Sequence, residues 1–127
     1  MALVKKLSAR LQNHPKRIVY PDGTDPRVIQ AARQFATRKL GVPIIIGEKQ
    51  KIEDIAKSLD VRLDGIKIID PVSADDSVAL MKLLHGLPKF RSFDPQEINA
   101  MALQPNYFAT LMLATGRADA MVAGATV

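Results

Sequence analysis

A chain of 127 residues, 47% hydrophobic and 24% charged, has the make-up of one globular domain, and with no cysteine it excludes a disulfide framework and a thiolate metal site. The net charge of +5 comes from 18 Lys+Arg set against 13 Asp+Glu, scattered along the chain and accompanied by only two Tyr and four Phe. That excludes a basic, aromatic-interleaved stripe for stacking on nucleic-acid bases. No run approaches the roughly 18 consecutive apolar residues of a membrane span, so no membrane association is expected and the cytoplasm is the expected home.

The first twenty residues hold no acid: Leu3, Leu7 and Leu11 recur at helical spacing among Lys5, Lys6 and Arg10. This reads as an amphipathic helix docked on the domain rather than a transit peptide, and it lacks the apolar core of a secretory signal. Arg17 to Tyr20 reads as a short strand ended by Pro21. Asp22-Gly23-Thr24 makes a turn, and Asp25-Pro26 opens a helix with Asp as N-cap and Pro in the first position. Ile29, Ala32, Ala36 and Leu40 form its apolar stripe, and Gly41 is expected to stop it as a left-handed residue. Val42 to Ile46 is continuously apolar, as a strand buried on both faces should be, with Pro43 near its start.

After Gly47, the residues Ile52, Ile55, Ala56 and Leu59 mark a second helix, and Ile66 to Ile69 a third strand. Ser73 to Asp76 reads as a cap with acids in the first turn of a helix carrying Val78, Met81 and Leu84, broken at Gly86 and Pro88. Pro95 starts a short helix to about Ala102. Phe108, Leu111, Met112 and Thr115 line a last helix ended by Gly116, and Ala120 to Val122 forms a fourth strand. Strands separated by helical patterns predict a three-layer α/β/α domain on a mainly parallel sheet. No helical pattern follows the fourth strand, so part of one sheet face is expected to lack cover. Parallel sheets are normally covered on both faces, and the polypeptide is therefore expected to continue beyond this point.

Few residues carry evident chemistry. There is no Walker A run, no Gly-x-Gly-x-x-Gly and no Gly-x-Ser-x-Gly. His14 and His85 stand in different elements without a carboxylate at ligand spacing, so no metal site is expected. Asp22 and Asp25 lie in the first strand-to-helix turn, where an open α/β sheet keeps its ligands. Capping and turn formation are the favoured account of both. Lys89, Arg91 and Ser92 form a basic connector, and arginine forks well onto phosphate oxygens. Ala123-Gly124-Ala125-Thr126 follows the fourth strand, and such small side chains let a ligand approach backbone amides.

Three blocks carry a resemblance. Ile18-Val19-Tyr20-Pro21-Asp22-Gly23-Thr24-Asp25-Pro26-Arg27-Val28 resembles the opening of the phosphate acetyl/butyryl transferase family. Pro43-Ile44-Ile45-Ile46-Gly47 resembles its second strand. Pro105-Asn106-Tyr107-Phe108-Ala109-Thr110-Leu111-Met112, followed by Gly116 and Ala118 to Ala125, resembles its most recognisable block. The order and spacing of the three match, across the chain but only about the first third to two-fifths of a typical member.

The resemblance implies a two-domain fold related to isocitrate dehydrogenase, with residues 1–127 as the N-terminal part of its first α/β domain and incomplete alone. It implies exchange of an acyl group between coenzyme A and inorganic phosphate, with acetyl or butyryl as the group carried. Coenzyme A is then a substrate, no bound cofactor or metal is needed, and the full-length protein is a homo-oligomer. The family's Ser-Arg pair and Asp base belong to its C-terminal part and have no counterpart here. The substrate-binding candidates that remain are Arg91, with Lys89 as the alternative counterpart, and the loop residues Ala123, Gly124, Ala125 and Thr126. Where the family commonly shows Val-Ser-Gly-Ala and soon a His, this chain has Val122-Ala123-Gly124-Ala125 and then Thr126-Val127. Two other readings stand behind this one: a non-enzymatic half-fold that binds a protein partner, and a basic anion- or nucleic-acid-binding domain.

Overall fold

A computed structural model describes residues 16–123. The N-terminal helix expected around Leu3 to Leu11, with His14, and the loop residues Gly124, Ala125 and Thr126 lie outside the described residues.

The chain runs β1 (Lys16–Tyr20), α1 (Pro26–Thr37), β2 (Gly41–Ile46), α2 (Lys49–Ser58) and β3 (Lys67–Ile69). It continues through α3 (Ser77–His85), a 3-10 turn at Pro88–Phe90, α4 (Pro95–Ala102), α5 (Pro105–Ala114) and β4 (Ala120–Met121). The four strands form one sheet in the order β3-β2-β1-β4. Every pairing is parallel, with Tyr20 opposite Ile45, Ile46 opposite Ile69, and Val19 opposite Met121.

Alternation along the strands sorts the core into two layers. Val19, Ile44 and Ile46 pack with Leu80, Leu84, Ile98, Phe108 and Met112 from α3, α4 and α5. Tyr20 and Ile45 pack with Val28, Ile29, Ala32, Ile52 and Ala56 from α1 and α2. The expected three-layer α/β/α domain is therefore present, and β2 holds four consecutive buried residues, Pro43 to Ile46, because helices cover it on both faces. The edge strands differ: β3 and β4 hold no fully buried residue, and Val122 is 46% exposed.

Three of the local expectations change. The stop of α1 is Lys39, not Gly41: Lys39 takes φ 56, with Lys39 N–H donating to Ala36 O and Leu40 N–H to Phe35 O. That is a Schellman motif. Gly41 instead opens β2, where a Cβ would stand 2.1 Å from Lys16 O, so the residue serves close strand approach. The acids before α3 do not enter its first turn. Asp76 makes no capping bond and pairs with Arg117 at 3.4 Å, while the Ser77 hydroxyl donates to Pro71 O. Finally, β3 begins at Lys67, because Ile66 N–H is taken by Leu63 O in a turn. Gly116, with φ 76, ends α5 as expected.

Candidate active-site cleft

The winding of the sheet locates a site. From β1 the chain steps to β2 and then β3 through α1 and α2 on one face, and returns to β4 through α3, α4 and α5 on the other. The direction of travel reverses between β1 and β4, and open α/β sheets take ligands beside the carboxyl ends of the strands at such a reversal, which the turn after β1 borders.

An open cleft of about 690 Å³ lies at the carboxyl ends of β1 and β2. It is walled by the turn Pro21–Asp25, by Ile46-Gly47-Glu48 and by Pro105-Asn106, with Arg27 and Lys51 reaching it from α1 and α2. The turn is held by backbone: Gly23 N–H donates to Ile46 O at 3.1 Å and Asp25 N–H to Asp22 O at 3.0 Å. The first turns of α1, α2 and α5 all border the cleft, and the positive ends of their dipoles favour negative charge there.

Side-chain chemistry in the cleft is largely self-paired. Asp25 caps α1, accepting from Arg27 N–H at 2.9 Å and from the Arg27 guanidinium at 3.2 and 3.3 Å. Those bonds hold its carboxyl below the usual range. Capping is thus its structural task, as favoured from sequence. Lys51 pairs with Glu48 at 3.5 Å. Neither Glu48 nor Gln104, the N-caps of α2 and α5, caps its helix with its side chain. The amides of those first turns therefore lack that partner and can donate to a ligand.

The sequence-derived candidates fall elsewhere. Arg91 is exposed just after the Pro88–Phe90 turn, where Lys89 lies 5.8 Å from the Phe90 ring centroid. Ala123 is exposed after β4, on the opposite flank of β1 from β2. Neither lines the cleft, and they do not share an element. His85 Nε2 lies 2.8 Å from Asn99 Oδ1, joining α3 to α4. Among the described residues there is no cluster of potential metal ligands and no helix long and apolar enough to cross a membrane.

Glu48, Lys51, Pro105 and Asn106 were missed from sequence, although a signal existed. A helix leading into a parallel strand must begin at the carboxyl edge of the sheet. Pro105, at the first position of α5, marks that beginning.

Comparison with known proteins gives a consistent picture. Residues 2–127 match the family model described as phosphate acetyl/butaryl transferase. A phosphate acetyltransferase of Bacillus subtilis (strain 168) is 35% identical over 109 residues, 86% of this chain and 33% of the relative. One from Helicobacter pylori (strain J99) is 31% identical over 124 residues, 98% of this chain and 24% of the relative. Among solved structures, the EutD phosphotransacetylase of Staphylococcus aureus superposes with a TM-score of 0.88 at 27% identity, covering 97% of this chain and 37% of that one. A phosphotransacetylase of Streptococcus pyogenes gives 0.88 at 26% identity, covering 99% and 38%. The chain thus spans about a quarter to two-fifths of the length of the proteins it matches. With the family model matched from residue 2 to residue 127 on the same α/β architecture, the chain belongs to the phosphate acetyl/butaryl transferase family.

Proposed function

We propose that residues 1–127 form the N-terminal part of the first α/β domain of a phosphate acetyltransferase and supply one wall of its acyl-transfer site. The reaction is acetyl-CoA plus phosphate giving CoA plus acetyl phosphate. A phosphate oxygen attacks the thioester carbonyl, the C–S bond breaks, and the departing thiolate takes up a proton. Coenzyme A is a substrate in this scheme, and its thioester already activates the acyl group, so the reading assigns no bound cofactor or metal.

The observation that carries this reading is the cleft at the carboxyl ends of β1 and β2, bordered by the first turns of α1, α2 and α5. Backbone amides at such helix starts suit phosphate and pyrophosphate oxygens. The names of the relatives favour acetyl over butyryl as the group carried. Arg91, with Lys89 as its alternative, and the loop Ala123, Gly124, Ala125 and Thr126 are proposed to add anion and backbone contacts to the same substrates. We extend the reading to a cytoplasmic homo-oligomer for the full-length protein; the lack of cysteine suits a reducing compartment.

Two measurements test it. Calorimetric titration of the chain with coenzyme A and with inorganic phosphate is expected to show binding of both. An assay for acyl phosphate formed from acetyl-CoA or butyryl-CoA, run on the protein that carries this chain, is expected to favour acetyl. Absence of both binding and transfer would overturn the reading, and a preference for butyryl-CoA would move the protein to the other branch of the family.

A further inference from the structure

β4 is short and lies at the edge of the sheet, joined only to β1 among the described residues. It nevertheless has to deliver the chain to the place where the direction of winding reverses, because Val122 and Ala123 follow it directly. Ladder pairing at Ile18 with Ala120 and Val19 with Met121 is a small basis for fixing register.

One residue pair supplements that pairing. The Asp119 carboxylate accepts from Arg17 backbone N–H at 2.8 Å, from Arg17 Nε at 3.3 Å and from Arg17 Nη2 at 3.3 Å. The same Nη2 donates to Gly116 O at 2.6 Å, reaching the turn that ends α5. In return Asp119 N–H donates to Arg17 O at 2.8 Å. Arg17 therefore grips the helix end and the strand start at once, through side chain and backbone. Past the paired residues Ala120 and Met121, Val122 N–H donates to Val19 O at 3.0 Å, at the exit of β4.

We infer that Arg17 and Asp119 are a positioning pair, which locks β4 in register against β1 and so places the Val122–Ala123 loop at the winding reversal for substrate contact. The lock alone stands on the geometry of β1 and β4; the substrate contact rests on the acyltransferase reading above. Asp119 suits the task because its two oxygens serve three donors while it remains part-exposed at 35%. A bidentate guanidinium–carboxylate contact adds geometric definition that a lysine could not. Strand slip by one residue would turn Met121 away from the α3–α5 layer that it packs against.

The test uses Asp119→Ala and Asp119→Asn in the whole chain, followed by amide hydrogen exchange and calorimetric titration with coenzyme A. The Val122 amide reports the exit of β4, and the Gly23 amide, bonded to Ile46 O, reports the other side of β1. Positioning predicts that Asp119→Ala lowers protection at Val122 about tenfold relative to Gly23, the scale of one lost charge-assisted hydrogen bond. Asp119→Asn, which keeps an acceptor for Arg17 N–H, should fall between wild type and the alanine variant. A merely structural contribution would lower both amides together, and that outcome, or no change at either, overturns the proposal. Coenzyme A affinity should weaken in step with Val122 protection; protection lost with affinity unchanged would overturn the substrate role. If the wild-type chain binds no coenzyme A, the acyltransferase reading and the substrate role both fall. The exchange ratio would still decide whether the lock exists.

Discussion

The amide of Gly23 donates to the carbonyl of Ile46 at 3.1 Å, tying the turn after β1 to the last residue of β2. This bond makes the floor of the cleft, and it needs the two backbones closer than any side chain allows. A Cβ on Gly23 would stand 2.2 Å from Ile46 O and 2.6 Å from Ile45 Cγ2. Backbone cannot move aside as a flexible side chain can. Gly23→Ala is therefore expected to cost about 1–3 kcal/mol, the usual range for forced overpacking. Urea unfolding of the two proteins checks the value, and coenzyme A titration should show weaker binding as the cleft floor shifts.

Two helices end on residues ill suited to the job. Lys39 and Asp60 hold φ 56 and φ 55 at the ends of α1 and α2. At the second, Val61 N–H reaches Ala56 O at 2.9 Å and Asp60 N–H reaches Lys57 O at 3.1 Å, repeating the motif at Lys39. The left-handed conformation costs a residue with a Cβ roughly 1–2 kcal/mol, and glycine returns part of the difference through its greater freedom when unfolded. Lys39→Gly and Asp60→Gly, both exposed, should each stabilise the chain by a few tenths to about 1 kcal/mol. The two changes should add, since they lie in different turns. Thermal unfolding of the single and double variants measures this.

These ends also show where the sequence was legible. Apolar spacing and helix-start residues together placed the α-helices and strands of the described region, because apolar spacing is dictated by which faces are buried, while the 3-10 turn Pro88–Phe90 read only as a connector. Asp25-Pro26 marked the start of α1 and Gly116 the end of α5 by their own backbone preferences. Lys39 could not be seen in this way: its conformation is imposed by the chain turning into β2, not by any preference of lysine. The glycine two residues on drew the stop signal to itself, although its need is proximity to Lys16. Site legibility followed the same division. Asp22 and Asp25 could be placed at the ligand edge because they follow β1 directly, although capping and turn formation were favoured for them, whereas Glu48, Lys51 and Asn106 enter the cleft only once three helix starts converge there. Asp119 stood within a recognised block, but its bond to Arg17 spans 102 positions and has no local trace.

Acid should lower stability through two carboxylates that resist protonation in the folded chain. Bonds from the Arg17 side chain and amide hold Asp119 below the ordinary value of 3.8, and Arg27 does the same for Asp25. A depressed folded-state value means that the unfolded chain takes up the proton first as pH falls. The stability that these pairs contribute is thus complete above about pH 5 and is lost as pH drops through 4 toward the lower folded-state values. Asp119→Asn and Asp25→Asn should each flatten the acid limb of a stability-against-pH curve while leaving its slope between about pH 5 and 7 unchanged. Tyr20 acts at the other extreme: burial raises its phenol above 10.0, so its contribution holds below that value and fades as pH rises beyond it. Urea unfolding at closely spaced pH values separates the two limbs.

Arg91 offers the sharpest separation of binding from folding. It is exposed, and its backbone N–H completes the Pro88–Phe90 turn by donating to Pro88 O at 3.3 Å, a bond that any residue but proline can make. Replacing its side chain should therefore leave stability within about 0.5 kcal/mol, as for other exposed positions free of special contacts. A guanidinium that forks onto phosphate oxygens is a different matter, since each lost charge-assisted bond weakens binding by about tenfold. Arg91→Ala is expected to lower affinity for coenzyme A or inorganic phosphate by that factor, and Arg91→Lys to recover part of it. Lys89→Ala serves as the comparison, because Lys89 sits against the Phe90 ring in the same turn. If Lys89→Ala weakens binding and Arg91→Ala does not, the anion contact passes to Lys89. If neither changes affinity, the connector between α3 and α4 has no part in substrate binding, and the cleft beside Gly23 and Asn106 holds the anion through its backbone amides.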